Sequence, residues 1–100
     1  MRQYQRQAIA SSSPAQLVLK LYDLGVHCCR QDDRVKLRRV LAELVGSLNL
    51  EEGGEIAERL YDLYDYCISE SITGDLDLVQ IILGDLRDVW KQGVLARQAA

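Results

Sequence analysis

A chain of 100 residues suits one domain, and at this size roughly 60–70% of the unfolded surface is buried on folding, so the expected fold needs no metal and no disulfide framework. Apolar residues make up 48% and charged residues 27%, a globular balance, and a net charge of −3 without a basic face argues against nucleic acid as a partner. No apolar run approaches a membrane span, the polar start Met1-Arg2-Gln3-Tyr4-Gln5-Arg6-Gln7 lacks a signal-peptide core, and Cys28, Cys29 and Cys67 form an odd set with no pairing pattern, so the expectation is a cytoplasmic protein with reduced thiols and no membrane insertion.

Residues 1–12 read as a polar N-terminal arm whose large apolar residues, besides Met1, are Tyr4 and Ile9. A short arm with two such anchors is suited to cover an apolar groove near the start of the first helix and to yield to a better ligand. Residues 13–97 read as a helical domain. Ser13-Pro14-Ala15-Gln16 is a helix start, with Ser13 as cap, Pro14 in the first helical position and Gln16 completing a capping box. The first helix is predicted from Pro14 to about Gln31, and its stripe is Leu17, Leu21, Leu24 and Cys28. Val18, Leu19, Tyr22, Val26 and Cys29 carry apolar character well beyond that stripe, leaving only a narrow polar strip.

Asp32-Asp33 is a turn and a cap. A second helix is predicted from Arg34 to about Asn49, with the stripe Leu37, Leu41, Leu44 and Leu48 flanked by Val40 and Val45. Glu51-Glu52-Gly53-Gly54 is read as a break, and the third helix as running from about Glu55 to Ile72. There Ile56, Leu60, Leu63 and Cys67 face one way, while Tyr61, Tyr64, Ile68 and Ile72 widen the arc. Thr73-Gly74-Asp75 is a tight turn. The fourth helix, from Leu76 to about Leu95, carries Val79, Leu83, Leu86 and Trp90, widened by Leu78, Ile82 and Val89, with Ile81 outside even that arc. The predicted architecture is all-α: an antiparallel up-down-up-down four-helix bundle with an N-terminal arm.

A four-helix core needs one stripe per helix, and three of these helices carry more. The surplus residues Leu19, Tyr22, Val26, Tyr61, Tyr64, Ile68, Leu78, Ile81 and Val89 are therefore the candidate partner-binding set. No cofactor, metal or catalytic residue is assigned. One histidine cannot supply the two Glu-x-x-His pairs of a di-metal bundle, and successive side chains in His27-Cys28-Cys29 diverge by about 100° on a helix. Gly53-Gly54 lacks the Lys-Ser/Thr of a phosphate loop, and nothing points to an enzyme.

Four stretches in order resemble the FliS family of flagellar chaperones: Ser13-Pro14-Ala15-Gln16-Leu17-Val18-Leu19-Lys20-Leu21-Tyr22-Asp23, then Ser47-Leu48-Asn49 with Gly53-Gly54-Glu55-Ile56-Ala57, then Leu63-Tyr64-Asp65-Tyr66, and last Leu86-Arg87-Asp88-Val89-Trp90. Compared with that family the first hairpin is short by roughly two heptads and the second by roughly one, which keeps the core stripe in phase and trims one end of the bundle. The resemblance implies a cytoplasmic export chaperone that binds the C-terminal segment of flagellin, prevents premature polymerisation and delivers it to the flagellar type III export apparatus. The competing reading is a generic helical interaction bundle or a homodimeric adaptor that does not bind flagellin.

Overall fold

The computed structural model describes residues 14–95. They form α1 (Pro14–Arg30), α2 (Arg34–Gly46), α3 (Leu50–Thr73) and α4 (Leu76–Trp90), which runs on into a wider π-type turn over Lys91–Leu95. Each start after the first is capped by a short polar side chain. Asp33 accepts from the Lys36 N–H at 3.1 Å and Asn49 from the Glu52 N–H at 3.1 Å. Asp75 accepts from the N–H groups of Asp77 and Leu78 at 2.9 and 3.3 Å. These bonds satisfy donors that a helix start leaves without an intrahelical partner.

One boundary differs from the periodicity. The second helix stops at Gly46, because Asn49 is taken as the cap of α3. The expected break at Glu51–Gly54 is present as a kink: a single turn from Leu50 ends at Gly54, whose φ of 54° and ψ of −133° are non-helical and open to glycine, and the long part of α3 follows from Glu55.

The helices form a ring in which α1 lies against α2 and α4, and α3 completes it between them. Contacts at the helix ends give the directions. The Trp90 indole N–H donates to the Ala15 carbonyl at 2.8 Å, joining the end of α4 to the start of α1. Arg34 donates to the carbonyls of Glu70, Ser71 and Gly74, and Arg38 to that of Ser71, joining the start of α2 to the end of α3. The Ser71 carbonyl is in the last turn of α3, where intrahelical donors run out, and the Glu70 carbonyl also accepts from the Gly74 N–H at 2.7 Å. The α1–α2 and α3–α4 turns therefore lie at one end of the bundle. At mid-height α1 approaches α4 so closely that a Cβ on Gly25 would sit 2.7 Å from Leu83 Cδ1.

The narrow stripe of α2 packs as its spacing predicts, with Leu37, Leu41 and Leu44 fully buried, and so do Val79 and Leu83 of α4. The core face of α1 does not. It is centred on Ala15, Tyr22 and Cys29 with Val26 and Gly25; of the expected stripe Cys28 is buried, while Leu17, Leu21 and Leu24 are only half-buried. The close approach at Gly25 turns that side of the helix inward. Tyr22, Val26 and Tyr64, expected among the partner-binding residues, are therefore core residues at 1%, 4% and 1% exposure. On α3 the buried line runs through Ala57, Tyr64, Cys67 and Ser71, and Ile56, expected in the stripe, is exposed.

Candidate partner-binding cleft

The α3–α4 pair is the loosest contact in the ring. Beyond the Gly54 bend, Ile56 and Leu60 of α3 face Leu86, Val89 and Trp90 of α4 across an apolar hollow of about 270 Å³, with Tyr22 at its base. A second hollow of about 210 Å³ shares Ile56, Leu60 and Trp90, and extends under the α2–α3 connection to Leu48, Ala57 and Tyr64. Together they make one apolar cleft at the end of the bundle away from the α1–α2 turn. Its rim is open: Ile56 is 73% exposed and Val89 67% exposed. Further along α4, Leu78 is half-buried and Ile81 is 60% exposed.

The floor is rigid. The Tyr22 and Tyr64 hydroxyls are 2.6 Å apart and share a hydrogen bond. The Tyr22 ring meets Trp90 edge-on, with centroids 6.3 Å apart and planes at 75°. Trp90 is further held by its bond to Ala15. Burial raises both tyrosine hydroxyls above their ordinary range, more strongly for Tyr64, so both stay protonated near neutral pH. The thiols behave alike. Burial is the largest cause pushing Cys29 and Cys67 up to about 11, and it also raises Cys28. Protonated buried thiols are packing groups rather than nucleophiles. Cys28 and Cys29 point into the core while His27 before them faces solvent, and among the described residues no cluster could hold a metal ion. The cleft offers apolar surface and shape, which suits an amphipathic helix laid along it.

Of the residues expected to bind a partner, Val89 stands on the rim of this cleft and Tyr22 and Tyr64 line its floor, whereas Leu78 and Ile81 lie near the start of α4, toward the other end of the bundle. Leu19 and Ile68 are half-buried, and Ile68 packs against the core. Tyr61 is exposed, on the other flank of the buried line of α3 from Ile56. Tyr4 and Ile9 lie outside the described residues. Leu60, Leu86 and Trp90, expected in the core stripes, pack against the core and also line the cleft, whereas Ile56 is exposed on its rim. The signal for Ile56 was the adjacent Gly53-Gly54, which alters the approach of α3 and lifts its first residues off the core.

The family described as "Flagellar protein FliS" matches residues 29–98 of this chain. The chain belongs to the FliS family. A FliS relative, the flagellar secretion chaperone FliS of Salmonella typhimurium strain LT2, is 30% identical over 108 aligned positions, which take in 85% of this chain and 79% of the relative. The alignment is longer than the whole 100-residue chain, so the relative carries residues within the matched region that this FliS-family protein lacks. No solved structure matches it. Three of the FliS-like stretches meet under the cleft: Tyr22 of the first, Tyr64 of the third and Trp90 of the last are in direct contact. None of the helices among the described residues is long and apolar enough to cross a membrane.

Proposed function

We infer that this protein is a flagellar secretion chaperone that holds the C-terminal segment of flagellin along the α3/α4 cleft. In doing so it keeps that segment from polymerising in the cytoplasm and delivers it to the flagellar type III export apparatus. The observation that carries this reading is the open apolar cleft, walled by Ile56, Leu60, Leu86 and Val89, in a member of the FliS family. Flagellin's C-terminal segment presents an apolar helical face, which is the ligand that such a cleft fits. Ordering a disordered segment costs entropy, and an extended apolar surface supplies the burial to offset it.

The test is titration of a labelled flagellin C-terminal peptide against the full chain and its Ile56→Asp and Val89→Asp variants. Both side chains are mostly exposed, so circular dichroism should show the fold intact. The expected result is binding by the parent chain and at least about tenfold weaker binding by each variant. Equal affinity in all three would remove the cleft from the reading. Failure of the parent chain to bind would remove flagellin.

A further inference from the structure

We propose that the buried Tyr22–Tyr64 hydroxyl pair is a specificity element of the α3/α4 cleft. It holds one hydrogen-bond donor in reserve, and so selects a cargo helix that carries one uncharged acceptor side chain, a carboxamide or a hydroxyl, within its apolar face. The inference rests on the cleft being the cargo site and adds what that cargo must present.

Two phenols carry two protons. Their oxygens are 2.6 Å apart, so one hydroxyl donates to the other, in either sense. The accepting hydroxyl keeps its own proton, and among the described residues neither oxygen forms any other hydrogen bond. Each tyrosine is only 1% exposed, so open solvent does not take that proton up. A buried donor without an acceptor is destabilising, and native folds retain few of them. Ionisation is no escape, because burial raises both hydroxyls above their ordinary range.

The donor lies where a ligand meets it. The Tyr22 ring is at the base of one hollow and the Tyr64 ring lines the other. The ring centroids are 6.5 Å apart with planes at 49°, and the hydroxyl bond links the floors of the two hollows. Other polar groups of the lining are already engaged. The Trp90 indole N–H donates to the Ala15 carbonyl, the Ser47 hydroxyl donates to the Leu44 carbonyl, and Asn49 Oδ1 caps α3. Ile56, Leu60, Leu86 and Val89 supply apolar walls. A helix that fills both hollows and sets a further apolar side chain over the pair seals the donor in without a partner. A carboxylate in that place sheds its hydration among apolar walls for a single bond. An uncharged acceptor avoids both costs, and a site that leaves its own buried polar group unpaired discriminates steeply.

The test is a coupling measurement by calorimetric titration. A flagellin C-terminal peptide is made with each asparagine, glutamine, serine and threonine in turn replaced by an apolar residue of similar size. The set is titrated into the full chain and into the double variant Tyr22→Phe/Tyr64→Phe. One replacement is expected to weaken binding to the parent by at least about fivefold and to leave binding to the double variant unchanged. The double variant should keep the helical spectrum of the parent and bind the unmodified peptide at least about fivefold more weakly. A peptide with no sensitive position, or with one that weakens both proteins alike, would overturn the inference while leaving the cleft as the cargo site. If the parent chain binds no peptide, the cargo reading falls and this inference falls with it.

Discussion

Tyr22 and Tyr64 each bury a hydroxyl beneath the cleft, and their mutual bond uses the proton of only one of them. Removing one hydroxyl leaves the other buried without its partner, whereas removing both leaves an apolar contact of nearly the same shape. Tyr22→Phe or Tyr64→Phe is therefore expected to cost about 1–3 kcal/mol, and the double variant less than the sum of the two. A double-mutant cycle by urea unfolding measures this. Leu41, fully buried on the narrowest stripe, has no such latitude. Leu41→Asp places a charge where nothing can pair with it, at a cost comparable to a total stability of about 5–15 kcal/mol, and is expected to unfold the chain. Tyr61→Asp, on an exposed side chain, should leave the unfolding midpoint nearly unchanged; Ile68→Asp, packed against the core, should lower it. The thiols set a further limit. Cys29 and Cys67 hold their protons to about 11 in the fold, while an unburied thiol ionises near 9.0. As pH rises past the lower value the unfolded chain loses these protons first, so stability is fully present below it and is lost as pH climbs toward the higher one. Urea midpoints should be level up to about pH 8 and fall above it, and alkylation of all three cysteines should require unfolding.

Glycines placed in different parts of the helices are expected to respond in opposite directions. Gly84 of α4 has open space where a Cβ would stand, so Gly84→Ala should stabilise by about 0.5–1 kcal/mol through helix propensity and a less flexible unfolded chain. Gly25→Ala drives a methyl against Leu83 at the α1/α4 crossing, and Gly54→Ala forces an L side chain into a positive-φ bend. Each should lower the thermal midpoint, by about 1–3 kcal/mol in stability. The same two glycines mark what the sequence could and could not reveal. The four helices, the cap at Asp33, the turn at Thr73-Gly74-Asp75 and the packed stripe of α2 were legible, because period and turn chemistry agree there. The phase of α1 was not. Leucines outnumber the other large side chains on that helix, so a periodicity argument puts Leu17, Leu21 and Leu24 inward. What turns the helix is the absence of a side chain at Gly25, which lets α4 approach and draws Tyr22 and Val26 into the core. The cleft was partly legible: Val89 followed from the excess width of the α4 arc, whereas Ile56 and Trp90 required knowing where α3 bends.

At the scale of the whole molecule the two edges of the ring are distinguishable by where a ligand adds protection. Backbone amides exchange through local openings, and a ligand that binds only the closed form suppresses the openings of the elements it spans. Cargo in the α3/α4 cleft should therefore slow exchange in the first turns of α3, from Leu50 past the Gly54 bend to Leu60, and in the last turn of α4 around Val89 and Trp90. The bend is the most sensitive reporter, because the α3 segment before it is a single turn held by the Asn49 cap. The α1–α2 turn lies at the far end, beside Arg34 and Gly74, and should exchange as before. Saturation at about one hundred times Kd adds roughly 2.7 kcal/mol to global stability, so deeply buried amides that exchange only by global unfolding slow uniformly; the comparison belongs to the amides that open locally. Hydrogen exchange read by mass spectrometry, with and without a flagellin C-terminal peptide, makes the measurement. Local protection at Leu50–Leu60 and Val89–Trp90 is the expected outcome. Protection confined to α1 and α2 would move the cargo to the opposite edge.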